Sequence, residues 1–243
     1  MKANNSVRVS EAAKILGVSP QTVRNWEKLG RLVSHRSPGG QRYYLVSEIQ
    51  RLAVDLPKLA WAWASSAQPP ELPSDYYCER QDRFSSRLEK MGTVLQQTIG
   101  VEQIDMISLL TLVTGEIGDN SFAHNGGNWP DIPGVLYAYD ESKRIIALAD
   151  RGRGVRATLQ RVRPKIASDV EALTVAFTEV ISGRDPEKRG NGLKVIRHIT
   201  ETKDIGLLFR SGLAQVRIPK EPGTMRITQA TENVRGVFAV ITF

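Results

Sequence analysis

Three short polar patterns, in fixed order, constrain this chain most: Glu116-x-x-x-Asn120, Asp150-x-Gly152-x-Gly154 and Gly190-x-Gly192-Leu193. Residues four apart share a helix face, so Glu116 and Asn120 can project into one cavity. Asp150 ends the apolar run Ile145–Ala149, and glycines two and four residues on let backbone approach a ligand without a Cβ clash. Gly190 and Gly192 stand just before the apolar-periodic segment Leu193–Ile199, where a helix start exposes N–H groups to an anion. Taken singly, each has a plain alternative: a solvated helix pair, a strand-ending turn, a solvated loop. Together they describe a pocket that takes a nucleotide and a divalent metal.

The chemistry assigns roles. The Asn120 amide oxygen suits Mg²⁺, a cation that keeps waters and phosphate oxygens in its other positions. Glu116, one turn earlier, is placed to orient or deprotonate a water near a terminal phosphate. An ionised Asp150 accepts the exocyclic amine of adenine and disfavours guanine. Lys188 and Arg189 either add charge toward phosphates or belong to a solvated loop. No Walker lysine loop and no dinucleotide fingerprint is present.

The net charge of +7 is concentrated. Residues 1–58 hold ten Lys and Arg against four Asp and Glu, six of the seven net positive charges. A phosphate backbone attracts such a segment. Ser10 can cap a helix to Leu16, Gly17-Val18-Ser19 is a turn, and Ser19-Pro20 opens a second helix that stops at Gly30. A short hairpin over Val33–Tyr44 and a helix from Ser47 to Ala53 follow. Two helices joined by a glycine-containing turn form a helix-turn-helix, whose second helix enters the major groove. Val23, Trp26 and Leu29 then face inward, leaving Gln21, Thr22, Arg24, Asn25 and Lys28 for DNA. Gln21, Arg24 and Asn25 are the candidate base readers. Arg36, Gln41 and Arg42 of the hairpin are candidate phosphate contacts.

Residues 59–78 read as a linker by composition, with Trp61 and Trp63 packing its junction. Beyond it, helical patterns cover Glu79–Gln97, Val101–Ala123, Ser168–Ile181 and Gly192–Thr200. Strand-like runs cover Val135–Tyr139, Ile145–Ala149, Leu207–Arg210, Ala214–Ile218 and Val237–Phe243. The expected class is α+β: a DNA-binding domain over 1–58 and, over 79–243, a mixed sheet covered by helices on one face. No apolar run is long enough to cross a bilayer, the start lacks a signal-peptide core, and Cys78 is the one cysteine. A cytoplasmic protein is expected, dimeric on a two-fold site because one short module makes few contacts.

Two resemblances sharpen this. Glu11–Ser19, Thr22–Gly30 and Ser37–Tyr44 resemble the MerR-type winged helix-turn-helix of excisionases, in which the second helix and the wing bind DNA. The usual His-Arg-Arg after the glycines is Gln41-Arg42-Tyr43 here. From Ile104 to Phe243 the three patterns resemble the ATP-binding fold shared by gyrase, histidine kinases and mismatch-repair ATPases, called GHKL. That likeness implies ATP and Mg²⁺ as cofactors, Asn120 on the metal, and Asp150 on adenine. It also implies Gly152, Gly154, Gly190, Gly192 and Leu193 around the nucleotide, Glu116 as general base, and a mobile lid over Val155–Arg189. Gly236-Val237-Phe238 stands where that family often has Gly-Thr-x-Phe. The combination implies a transcription regulator with a nucleotide-dependent switch, a slow ATPase if Glu116 acts. The alternative is an anti-sigma-type serine/threonine kinase acting on a partner protein.

Overall fold

In a computed structural model, residues 6–16, 18–28, 30, 32–180, 191–221 and 223–243 are described. The chain divides into two units, residues 1–55 and 56–243.

In the first unit, strand β1 (Ser6–Val7) leads into helices α1 (Val9–Leu16) and α2 (Pro20–Lys28), then β2 (His35–Arg36), β3 (Arg42–Leu45) and α3 (Val46–Ala53). Ser19 caps α2 by accepting the Thr22 N–H at 3.1 Å, and Pro20 occupies the first helical position, where a missing N–H costs nothing. Ala12, Ala13, Val23, Tyr44 and Ile49 bury one small core. Strand β3 pairs antiparallel with both β1 and β2, so the expected hairpin is a three-stranded wing.

The second unit begins at α4 (Leu56–Ser65) and continues through β4 (Tyr77–Cys78), α5 (Gln81–Ile99), α6 (Ile104–Asn125), β5 (Val135–Asp140) and β6 (Ile145–Asp150). Helices α7 (Gly154–Gln160), α8 (Asp169–Thr178) and α9 (Gly192–Thr202) follow, and the long strands β7 (Gly206–Ile218) and β8 (Arg226–Thr242) close the chain. The sheet order is β4-β5-β6-β8-β7. Every pairing is antiparallel, which corrects the expected mixed sheet. The pairs β5–β6 and β7–β8 are neighbours in sequence joined by short connections, a linkage that antiparallel strands allow and parallel ones do not.

The alternation of side chains separates two buried faces. Val135, Tyr137, Ile146, Leu148, Ala239 and Ile241 join the main core with α5, α6, α8 and α9. The intervening Leu136, Ala138, Ala147, Ala149 and Phe238 are also buried, against α4. Trp61 meets Phe238 edge-on with ring centroids 5.4 Å apart, and Arg210 lies 4.1 Å over the Trp61 ring. Helices therefore cover both faces, not one. The segment expected as a linker over 59–78 begins inside α4, with Trp63 buried, and ends in β4; the Pro-rich composition of 69–73 masked an Ala/Leu/Trp helix just before it.

Two further expectations change. The lid inferred over Val155–Arg189 contains α7 and α8, and Leu159, Ile166, Leu173 and Phe177 are core residues. That depth of burial fixes the stretch to Thr178 as part of the scaffold. The runs Leu207–Arg210 and Ala214–Ile218 are one strand interrupted by bulges around Gly212. Within α6, Gly118 is required by packing, because a Cβ there would strike the Phe84 ring of α5.

Candidate nucleic-acid interface and nucleotide site

Helix α2 buries Val23 and half-buries Trp26, so Gln21, Arg24, Asn25 and Lys28 stand exposed on the other side; Leu29 lies outside the described residues. Arg24 Nη1 donates to Gln21 Oε1 at 3.4 Å, and Gln21 Nε2 donates to Asn25 Oδ1 at 3.2 Å. Three candidate base readers are thus joined along one face. Thr22 differs from them: it is half-buried and its hydroxyl pairs with Ser19 Oγ at 2.9 Å.

On the wing, Arg36, Gln41 and Arg42 are exposed. Arg36 Nη1 donates to Gly40 O at 3.2 Å, and Arg42 pairs with Glu27 of α2 at 3.2 Å. Glu27 also accepts Ser34 Oγ at 2.7 Å and Tyr44 Oη at 3.0 Å. These hydrogen bonds, Ser34 first, hold its carboxyl below the usual carboxylate value. The Glu27 carboxylate therefore ties the wing to the recognition helix. Sequence reading missed Glu27, and it missed Arg8, which donates to Gln41 Oε1 at 3.0 Å. Nothing local in the sequence marks these long-range pairs.

In the second unit, helix α6 organises the other candidate site. Gly192, the first residue of α9, lies so close that a Cβ there would collide with Glu116 Oε2 and sit 3.5 Å from Asn120 Nδ2. One turn further, Ser121 Oγ donates to Asp150 Oδ2 at 2.7 Å. Asp150 also accepts the Gly152 N–H at 2.8 Å and a backbone N–H from Val237. Burial pushes the Asp150 carboxyl up to about 6, with the Ser121, Gly152 and Val237 donors opposing that rise. Asn125, at the end of α6, accepts the Arg153 N–H at 3.1 Å and donates to Ser121 O at 2.8 Å. The spacing Ser121–Asn125 was readable as a second helix face below Glu116 and Asn120, but it carried no motif.

All three patterns therefore converge on α6: Glu116 and Asn120 against Gly192, and the Asp150–Gly152 loop against Ser121 and Asn125. Leu193 is half-buried and packs on the main core. Lys188, Arg189 and Gly190 lie outside the described residues. Gly154 departs from the group, since it approaches Ser211 Oγ and the Gly236 backbone instead. A cleft of about 530 Å³ is lined by Gly152 and Gly154 and by neither Glu116, Asn120 nor Asp150.

Beneath this loop, Arg151 is fully buried. Its Nε and Nη2 donate to Asp131 Oδ2 at 2.9 and 2.6 Å, and its Nη1 donates to Trp63 O and Ser66 O. Arg235 shares the same Asp131 oxygen at 3.0 Å. Arg151 thus fastens the end of α4 to the end of β6.

The arrangement of α1, α2 and wing defines a winged helix-turn-helix. The profile of the MerR family regulatory proteins matches residues 8–44, so this segment is a MerR-family DNA-binding domain of the kind found in transcription regulators. No curated protein and no solved structure matches the chain. Among the described residues no helix is long and apolar enough to cross a membrane.

Proposed function

We propose that the chain is a DNA-binding transcription regulator whose second unit binds ATP with Mg²⁺ and acts as a nucleotide-dependent switch. The observation that carries this reading is the approach of Gly192 to Glu116 and Asn120, on the helix whose Ser121 holds Asp150. A side chain at Gly192 would displace the Glu116 carboxylate and fill the space between the α9 start and the two polar groups.

The donor and acceptor chemistry of these residues supports the reading. An ionised carboxylate offers about four acceptor sites; Ser121, Gly152 and Val237 take three on Asp150, leaving one for the exocyclic amine of adenine. The N-terminus of the eleven-residue helix α9 favours a phosphate group. Asn120 would hold Mg²⁺ through its amide oxygen. The metal, when bound, neutralises phosphate charge. Glu116 would orient a water, making the unit a slow ATPase. ATP binding would bias DNA affinity or the assembly of a homodimer, a state that a partner protein could read.

Calorimetry of the full chain with ATP, with and without Mg²⁺, tests this. Saturable binding that weakens at least about tenfold in Asp150→Asn and in Asn120→Ala, the latter chiefly when Mg²⁺ is present, supports it. Absence of binding to the wild-type chain overturns the nucleotide reading. DNA affinity and oligomeric state identical with ATP, with ADP and without nucleotide overturn the switch.

A further inference from the structure

Away from α6, the cleft of about 530 Å³ is lined by four arginines, Arg151, Arg153, Arg156 and Arg235, and by two carboxylates, Asp131 and Asp169. We propose that this cleft is a second site, one that binds a small molecule through an oxyanion group, phosphate or carboxylate. The volume falls within the range of small-molecule sites.

The fold makes the cleft by interrupting one ladder. Strands β7 and β8 pair at Arg210↔Phe238 and resume at Gly212↔Val234. Gly212 and Gly236, at φ 59 and 65, let the two strands part there. Ser211, Asn233 and Arg235 line the opening, and α7 brings Arg156 to it.

Its charges are not internally balanced. Asp131 is shared by the buried Arg151 and the half-exposed Arg235. Asp169 accepts the Leu213 N–H at 2.8 Å and makes no ion pair among the described residues. Among the described residues, the Arg153 guanidinium donates to the Asn128 carbonyl at 3.4 Å and makes no ion pair. Arg156 Nε is buried with no hydrogen-bond partner among the described residues. A buried, unpaired donor is costly, and a charged one most of all. An oxyanion is the group that satisfies it, because a guanidinium fork matches phosphate and carboxylate geometry. Such a ligand would take Arg153 and Arg156 and draw Arg235 from Asp131.

The cleft shares only Gly152 and Gly154 with the nucleotide reading and does not depend on it. Calorimetry of the full chain, without nucleotide, uses inorganic phosphate in one arm and succinate in the other, against sodium chloride of equal ionic strength. Saturable binding of either probe is expected, weakened at least about tenfold in Arg156→Gln and in Arg235→Ala and unchanged in Asn120→Ala. A preference for one arm identifies the oxyanion. At tenfold excess over Kd the melting temperature should rise by about 3 °C. Heats no larger than those of chloride, or binding indifferent to both arginine substitutions, overturn the proposal. Loss of binding in Asn120→Ala also overturns it, since the cleft would then be one with the α6 site. If Arg156→Gln fails to fold, Arg235→Ala decides alone.

Discussion

Ser121 on α6 donates its hydroxyl to the buried carboxylate of Asp150 at 2.7 Å, across a gap of 29 residues in sequence. The bond fastens the end of β6 to the helix that carries Glu116 and Asn120. Removing it in Ser121→Ala takes a donor from the ionised carboxylate, which raises the Asp150 pKa further and costs about 1–3 kcal/mol at pH 7. Carboxyl chemical shifts and urea denaturation read the two effects. An Asp150 pKa that fails to rise would show that the hydroxyl does not stabilise the charge.

Asp150 also imposes a pH dependence on folding. Its folded pKa of about 6 lies above the ordinary 3.8, so the folded state holds a proton that the unfolded chain has released in between. This contribution to stability is complete below 3.8 and is lost as pH rises through 6. Wild type should therefore lose about 3 kcal/mol relative to Asp150→Asn over that window and run parallel to it above pH 7. Denaturant midpoints at a series of pH values give the comparison, and a difference constant from pH 4 to 7 would assign the titration to another group.

The buried Arg151 predicts a large structural cost. In Arg151→Met, Asp131 keeps the half-exposed Arg235 as its one ion-pair partner among the described residues, and the Trp63 and Ser66 carbonyls lose the Arg151 donor. Loss of about 3–5 kcal/mol is expected, as for other broken buried pairs. Arg151→Lys should recover little, since one ammonium cannot reproduce the fork. Urea denaturation measures both, and a loss below 1 kcal/mol would mean that α4 is held by its apolar contacts alone.

Two glycines should separate folding from binding. Gly236 has φ 65, and a Cβ there would press on Asp150 and the Gly152 backbone, so Gly236→Ala should destabilise by about 3 kcal/mol or more. Gly192 meets mainly the end of the Glu116 side chain, which can move. Gly192→Ala should fold with nearly full stability yet bind ATP at least about tenfold more weakly. Thermal melts paired with calorimetry distinguish them, and undiminished ATP binding in Gly192→Ala would remove α9 from the site.

On the first unit, Arg24→Ala should cost about 1–3 kcal/mol on the preferred DNA and relax the preference at one base position. Arg36→Ala should weaken binding evenly across sequences and lower the salt slope by about one. Salt-dependent binding to a selected and a scrambled duplex tests both; the same slope in Arg36→Ala would exclude a phosphate contact there.

The amino-acid order alone determined the local elements: α1 and α2 from a cap, a turn and a short apolar face, and α6, α8 and α9 from their apolar periodicity. It also singled out Glu116, Asn120, Asp150 and Gly192: the first two share a face of α6, and the other two sit at the ends of β6 and α9, where backbone groups are free to bind. Tertiary structure decided what depends on contacts distant in sequence. Helix α4 was hidden because its Ala and Trp residues cover the second sheet face, a role visible only once Ala138, Ala147, Ala149 and Phe238 are brought together. The long strand β8 was read only at its apolar end, since between Arg226 and Arg235 most of its side chains are exposed. The stretch after Val155 looked like a lid until α7 and α8 were packed into the core. The clamps of Glu27 on the wing and of Arg151 on α4 are likewise products of folding. A charge declares no partner until the chain brings one to it.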